Sequence, residues 1–478
     1  MPQSNHLSGF LARCLLSVVS GGLYALAFPP LGWGWLVIPS LAGLLLTLRD
    51  QQAGRARFLG FLHGITAYSV SLFWLFGMFG NMAIVLWMIL SAFTVLFAWF
   101  QGIAGKRGWA WWKLAGFTAI NWGAWEFIRA ELFPLKFPWM TAGLAVGPNV
   151  LLPWIGVYGV SVVAMLAVAL LAMGRWKPAI VPAVILVIAT LLCRPLPEPG
   201  AGDAQSVKVA GLQWESVSFD TFVAETRKLP DDVRHVVWPE YAVPFDVRRN
   251  PEDWERLQAL CRERNITLTL GTQSRPDDKS WRNIALTLDP EGVRGEHNKN
   301  HIVHFFDDGI AGKTATSIPT RHGKIGTPVC FDGDYEDVIR RMTKDGAEMF
   351  LIPTMDAVSW GATQHDQHAA LSRIRACENG RWILVCATSG VSQVIDANGQ
   401  LHARLPALAE GVITGTLRRE SALTFYTRFG WLAPWLVLGL AGVAWCLLIK
   451  GAIHDCLRER REKRGWKQSL REKIGTND

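Results

Sequence analysis

The sequence predicts a polytopic helical membrane domain of about seven helices, then one water-soluble α/β domain, then a single closing helix. Half of the 478 residues are apolar, with 23 Trp, 23 Phe and a positive mean hydropathy, which separates the chain from ordinary soluble proteins. The long apolar runs lie between residues 11 and about 193 and again between 430 and about 449, while the stretch between them has soluble composition. Within that stretch, short β-branched runs alternate with helical patterns.

A hydrocarbon layer needs roughly 20 mostly apolar residues per helix. That ruler selects 11–29, 31–48, 58–79, 82–104, 109–128, 152–174 and 178–193, with an eighth span at 429–450. Pro and Gly punctuation at 28–34 and 134–148 marks turns or re-entrant stretches. The first run lacks a small-residue cleavage site and is soon followed by another, so it reads as a retained helix. Alternate loops are basic: Arg49, Arg55 and Arg57, then Lys106, Arg107 and Lys113, then Arg175 and Lys177. Placing these loops in the cytoplasm puts residues 195–425 outside and the tail, with Arg458, Arg460, Arg461, Lys463, Arg464 and Lys467, inside. The net charge of +8 is then a matter of orientation, and no nucleic-acid partner is expected. The expected division is 1–194 for the bundle, 203–425 for the soluble domain, 429–450 for the last helix and 451–478 for a basic cytoplasmic tail.

Seven runs predict strands of the soluble domain: 207–214, 235–239, 266–272, 284–289, 324–330, 349–354 and 382–388. Helix-like stretches between several of them suggest an α/β sandwich or layered sheet with one core. A Pro- and Gly-rich linker near 195–202 separates this domain from the bundle. The eight cysteines show no paired CxxC spacing, so neither a disulfide framework nor a zinc ribbon is expected. Histidines 297, 301, 304, 365 and 368 lack a matching ligand set, and no metal or other cofactor is expected. Glu126 and Arg129 are ionisable groups near the outer end of an apolar helix; they suit either a functional role or an intrahelical ion pair.

Three reactive side chains fall at or just beyond the ends of strand-like runs, where an α/β sheet exposes its functional groups. They are Glu240 after VVWP, Lys299 in HNKNH and Cys330 after KIGTPV. The acidic stretch after Cys330 reads as the start of a helix, whose N-terminus would favour a thiolate. A carboxylate could take the thiol proton and a lysine could hold a developing oxyanion.

In that order, Glu240, Lys299 and Cys330 resemble the Glu-Lys-Cys triad of the nitrilase superfamily. Helices on both sides narrow the resemblance to the apolipoprotein N-acyltransferases. Matching stretches include FPPLGWGWL at 28–36, Trp125-Glu126 and Arg129 leading to FPW at 137–139, VVWPE at 236–240 and NKNHIV at 298–303. Others are QHDQH at 364–368, RIRACENGR at 373–381 and TFYTRFGW at 424–431. The resemblance implies an extracytoplasmic α-β-β-α sandwich in a bacterial inner-membrane protein, acting as a monomer. It implies a ping-pong reaction in which Cys330 takes an acyl chain from a phospholipid as a thioester. The chain then passes to the N-terminal amine of a diacylglyceryl-cysteine lipoprotein. Asp307 would hold Lys299 or the amine, with Asp308 as its substitute, and Phe305, Phe306, Phe331 and Trp360 would form a lid or contact the acyl chain.

Some positions depart from the family pattern. Cys330-Phe331-Asp332 replaces Cys-Tyr-Glu, Phe305-Phe306-Asp307 replaces Phe-Gly-Glu, and Lys136 replaces the glycine before FPW. These changes fall in the substrate-holding shell around the triad, at Asp307, Phe331 and Asp332. They leave open a different acyl acceptor, a membrane-bound amidase, or a non-catalytic lipid or lipoprotein binder.

Overall fold

The computed structural model describes residues 2–200, 202–277 and 279–474. Its N-terminal part is helical: α1 (Pro2–Leu26), α2 (Val37–Leu48), α3 (Ala53–Ser71), α4 (Trp74–Phe79), α5 (Met82–Ala104), α6 (Trp111–Phe127), α7 (Ala142–Val146), α8 (Leu152–Ala172) and α9 (Trp176–Leu192). Leu41 and Leu44 of α2, Leu59 of α3 and Phe97 of α5 are buried in a shared core. Leu11, Leu15, Val70, Val187 and Leu191 point outward and are exposed. In water that apolar exterior would be a large adhesive patch; in hydrocarbon it is solvated.

Among the described residues, four helices are long and apolar enough to cross a membrane, at Gly9–Leu26, Met82–Ala104, Leu152–Ala172 and Leu432–Trp466. The apolar helices Gly34–Leu48 and Trp176–Leu192 are shorter. The run expected as one helix over 58–79 is two, because the backbone leaves the helix at Leu72 before α4 begins. Trp87 Nε1 donates to the Leu72 carbonyl at 3.1 Å, satisfying an acceptor that the break releases. A second irregularity lies in α8, where Gly156 has φ +65°. The Tyr426 ring fills the space that a Cβ there would need, and the Val157 N–H donates to Glu378 Oε1 at 2.8 Å.

The C-terminal part runs β1 (Ser206–Gln213), α10 (Phe219–Arg227), β2 (His235–Trp238), α11 (Pro251–Arg264), β3 (Thr267–Ser274), β4 (Arg282–Asp289), β5 (Gly292–Asn298), β6 (Ile318–Thr320) and β7 (Gly323–Gly326). It continues with α12 (Glu336–Lys344), β8 (Met349–Thr354), α13 (Ala362–Asn379), β9 (Ile383–Ala387), β10 (Ser392–Ile395), β11 (Leu401–Leu405) and β12 (Gly411–Arg418). After α14 (Phe425–Phe429), the closing helix α15 (Leu432–Ile474) extends well past the expected end at 450. The end of the expected basic tail, 475–478, lies outside the described residues.

The strands form two six-stranded sheets, β12-β1-β2-β3-β4-β5 and β11-β10-β9-β8-β7-β6. Side-chain alternation makes the layers. Val207 and Val209 of β1 join Val237, Leu351 and Leu384 between the sheets. Ala210 and Leu212 of the same strand face the other way, onto Phe222 of α10 and Leu257 of α11. On the second sheet, Phe350 and Val385 pack under Val338 of α12 and Ala376 of α13. The result is the four-layer α-β-β-α sandwich implied by the resemblance. In each sheet three strands run parallel, β1-β2-β3 and β7-β8-β9, and functional side chains gather beyond their ends.

Candidate active site

Glu240 lies two residues beyond β2, Lys299 directly after β5 and Cys330 four residues beyond β7. All three are buried and line one cavity. Lys299 Nζ lies 2.8 Å from Glu240 Oε1 and 2.8 Å from Asp308 Oδ2. Asn283 Nδ2 bridges the same carboxylates, 2.6 Å from Glu240 Oε1 and 2.7 Å from Asp308 Oδ1. The Met355 N–H donates to Glu240 Oε2 at 2.9 Å, and its carbonyl accepts from Cys330 Sγ at 3.4 Å. Cys330 has φ +48°, a sharp bend that begins a 3₁₀ turn over Cys330–Gly333. Glu240 can come this close to the sheet because its neighbour on β3 is Gly271, where a Cβ would sit 2.3 Å from Glu240 Cα.

The two carboxylates on Lys299 are equidistant, but their environments separate them. Burial pushes the Glu240 carboxyl up despite Lys299. Asp308 is also desolvated, yet Lys299, the Tyr241 hydroxyl at 2.6 Å and the Val303 N–H at 2.9 Å hold its carboxyl below the usual range. Burial opposes the charge on Lys299, but the neighbouring carboxylates, Glu240 first and then Asp308, outweigh it and hold the ammonium on. Asp308 is therefore the counter-ion of Lys299, which leaves Glu240 able to exchange a proton. Burial first, then Glu240, pushes the Cys330 thiol well up, so its resting form is the neutral thiol.

Cys330 stands where two cavities meet. One, of about 1070 Å³, is lined by Glu240, Tyr241, Trp281, Lys299, Asp308 and Met355. The other, of about 910 Å³, is an apolar cleft walled by Trp74 and Phe79 of α4, Leu86 and Ile89 of α5, and Trp139 and Phe331. Val303, Cys330 and Trp360 line both. Phe79 also makes edge contacts with Phe305 and Phe306, each at 5.8 Å.

Residues 219–424 match the family model of the carbon-nitrogen hydrolases, and residues 20–170 match that of the apolipoprotein N-acyltransferase N-terminal domain. Apolipoprotein N-acyltransferase from Geobacter metallireducens is 27% identical over 92% of this chain and 96% of its own length. Its counterpart from Gloeobacter violaceus is 26% identical, covering 94% of this chain and 96% of its own. From end to end the chain is similar to the apolipoprotein N-acyltransferases. It is an acyltransferase of the nitrilase superfamily with an apolar helical region. Among solved structures, a carbon-nitrogen hydrolase from Helicobacter pylori is 19% identical, with a TM-score of 0.40 over 44% of this chain and 89% of its own.

Several expected roles within this site change. Asp307 is exposed on the cavity wall, and its neighbour Asp308 holds Lys299. Cys330 does not cap an α-helix, since α12 starts only at Glu336, and its thiol is raised, not activated. Asp332 faces away from the cleft: Oδ1 accepts the N–H groups of Asn300 at 2.9 Å and His301 at 2.7 Å, and Oδ2 meets His297 Nε2 at 2.8 Å. It thereby fastens the segment that carries Lys299. Glu126 and Arg129 form no ion pair with each other. Glu126 accepts from Trp122 Nε1 and the Ala142 N–H, while Arg129 donates to the Phe137, Trp139 and Met140 carbonyls, so both pin the FPW loop. Asn283, Tyr241 and Met355 were not signalled in the sequence, because each acts through contacts that only the folded sheet creates.

Proposed function

We propose that this enzyme moves an acyl chain from a phospholipid to the N-terminal amine of a diacylglyceryl-cysteine lipoprotein, through a thioester on Cys330. The observation that carries the reading is the position of Cys330, with an apolar cleft on one side and a cavity holding Glu240, Lys299 and Asp308 on the other. Glu240 takes the thiol proton as sulfur attacks the donor ester, and Lys299 Nζ meets the oxyanion. Collapse expels the lysophospholipid alkoxide, which receives the proton from Glu240. The acceptor amine then attacks the thioester, loses a proton to Glu240, and leaves as an amide while the thiol is restored. Asp308 keeps Lys299 charged throughout, and Trp360, Phe305 and Phe331 hold the acyl chain.

The soluble domain, 203–425, lies on the periplasmic face of a monomer with about eight membrane helices, counting 1–194 and 429–450. Contacts at the opposite end of the bundle support this placement. Arg107 pairs with Asp455 of α15 at 2.6 Å, and Arg175 stacks over Trp111 at 5.5 Å, gathering basic loops and tail at one end.

The test uses membranes containing the protein and acyl-labelled phospholipid. A hydroxylamine-labile label is expected on Cys330 and absent from Cys330→Ala; adding a diacylated lipopeptide should chase it into an N-acyl peptide. Absence of label on the wild type sinks the reading, and release solely as free acid would make the enzyme a hydrolase.

A further inference from the structure

His368 of α13 lies between two carboxylates. Its Nδ1 is 2.8 Å from Asp356 Oδ1 and its Nε2 is 3.1 Å from Asp334 Oδ1. The ring stacks on Trp139 with centroids 5.8 Å apart and planes 14° from parallel, and Trp139 Nε1 donates to Asp334 Oδ2 at 2.7 Å. Gln364 Nε2 donates to Asp356 Oδ1 at 3.0 Å. Each carboxylate belongs to a segment that shapes the nucleophile's surroundings. Asp334 follows the 3₁₀ turn that Cys330 begins. Asp356 follows Met355, whose backbone contacts both Cys330 Sγ and Glu240.

With a carboxylate on each ring nitrogen, both nitrogens donate and the ring is an imidazolium. Burial opposes that charge, but Asp356 and Asp334 outweigh it. Asp356 also faces His365 and Gln364, and Cys330 faces Glu240, Lys299 and Asp356. Asp356 pushes the thiol up, so the charge that balances Asp356 matters to the nucleophile.

We propose that His368 is a positioning residue: its imidazolium ties the Cys330 turn to the Met355–Asp356 segment and cancels the Asp356 charge beside the thiol. It touches no reacting atom and acts through Asp334 and Asp356. The proposal rests on Cys330 being the nucleophile proposed above.

The full-length protein in detergent is alkylated with iodoacetamide across a pH series, and modification of Cys330 is read by peptide mass spectrometry with Cys330→Ala as the blank. His368→Gln should move the profile upward by about one pH unit, roughly tenfold slower alkylation below the transition. Its kcat for transfer to lipopeptide should fall with little change in donor KM. His368→Gln/Asp356→Asn should return the profile toward wild type, a recovery that a packing role would not produce. If His368→Gln does not fold, Asp356→Asn alone carries the test, with a downward shift expected. An unmoved profile in the folded variants overturns the proposal, as does a loss confined to donor KM, which would make His368 only a wall of the cleft. Normal alkylation with no acyl capture on the wild type would instead defeat the nucleophile reading, so the two failures are distinct.

Discussion

Lys299 has two carboxylates at the same distance, and both accept from further donors, but burial prevails at Glu240 and the donors prevail at Asp308. Asp308→Asn should lower kcat/KM on the order of a hundredfold, the cost of leaving a buried cation short of its partner, whereas Asp307→Asn should change it less than about threefold. A transfer assay on purified variants checks both, and equal losses would contradict the assignment. Glu240→Gln separates charge from catalysis. Because the Glu240 charge raises the Cys330 thiol, its removal should move Cys330 alkylation to lower pH even as transfer falls by about 10²–10⁴-fold. An upward shift would show that Glu240 does not act on the thiol. Glu240 and Cys330 were legible in the sequence because each follows a strand-like apolar run that places it beyond a sheet, whereas Lys299 follows the polar β5 and was legible through the NKNHIV stretch. The choice between Asp307 and Asp308 was not, since adjacent acids in an irregular loop carry no periodicity to say which turns inward.

Elements set the precision of the site through close backbone approach. At Gly271 any side chain would meet backbone atoms of Pro239, Glu240 and Tyr241 within 2.7 Å, none of which can swing aside. Gly271→Ala should therefore displace Glu240 and reduce turnover on the order of 10²-fold while the thermal midpoint changes little. Turnover within threefold of wild type would show that β2 and β3 yield at no cost to catalysis. The seven expected strands correspond to β1, β2, β3, β4, β7, β8 and β9, whose buried β-branched runs are long enough to read. β5, β6, β11 and β12 escaped because they are short, Gly-bearing or partly exposed, with burial too uneven to give a period-2 signal, and β10 because two of its four buried residues, Ser392 and Gln393, are polar. The break between α3 and α4 escaped for the opposite reason: Leu72 and Phe73 are as apolar as the helix around them.

Across the whole molecule, the sandwich meets Trp431, just before the closing helix, at a buried carboxyl. Glu336 of α12 binds Arg340 at 2.5 Å and accepts from Trp431 Nε1, yet burial prevails over Arg340 and raises the carboxyl from 4.5 to about 8. A carboxyl raised on folding contributes stability that is complete below pH 4.5 and is lost as pH rises through about 8. The midpoint of thermal unfolding in detergent should fall over that window in the wild type and fall less in Glu336→Gln; parallel slopes would remove Glu336 as the cause. The proposed orientation predicts that a membrane-impermeant maleimide labels Val293→Cys but not Arg461→Cys in intact cells lacking Cys446 and Cys456, and the reverse pattern would invert the topology.

The apolar cleft at Cys330 is walled by Leu86 and Ile89, on the same helix whose Met82, Val85 and Met88 are exposed to the surroundings. The phospholipid donor proposed above would then arrive sideways along a surface, not from bulk water. Velocity should follow the donor's mole fraction within the micelle or bilayer: adding inert detergent at constant enzyme and total phospholipid should slow the reaction. For such an enzyme the governing concentration is two-dimensional.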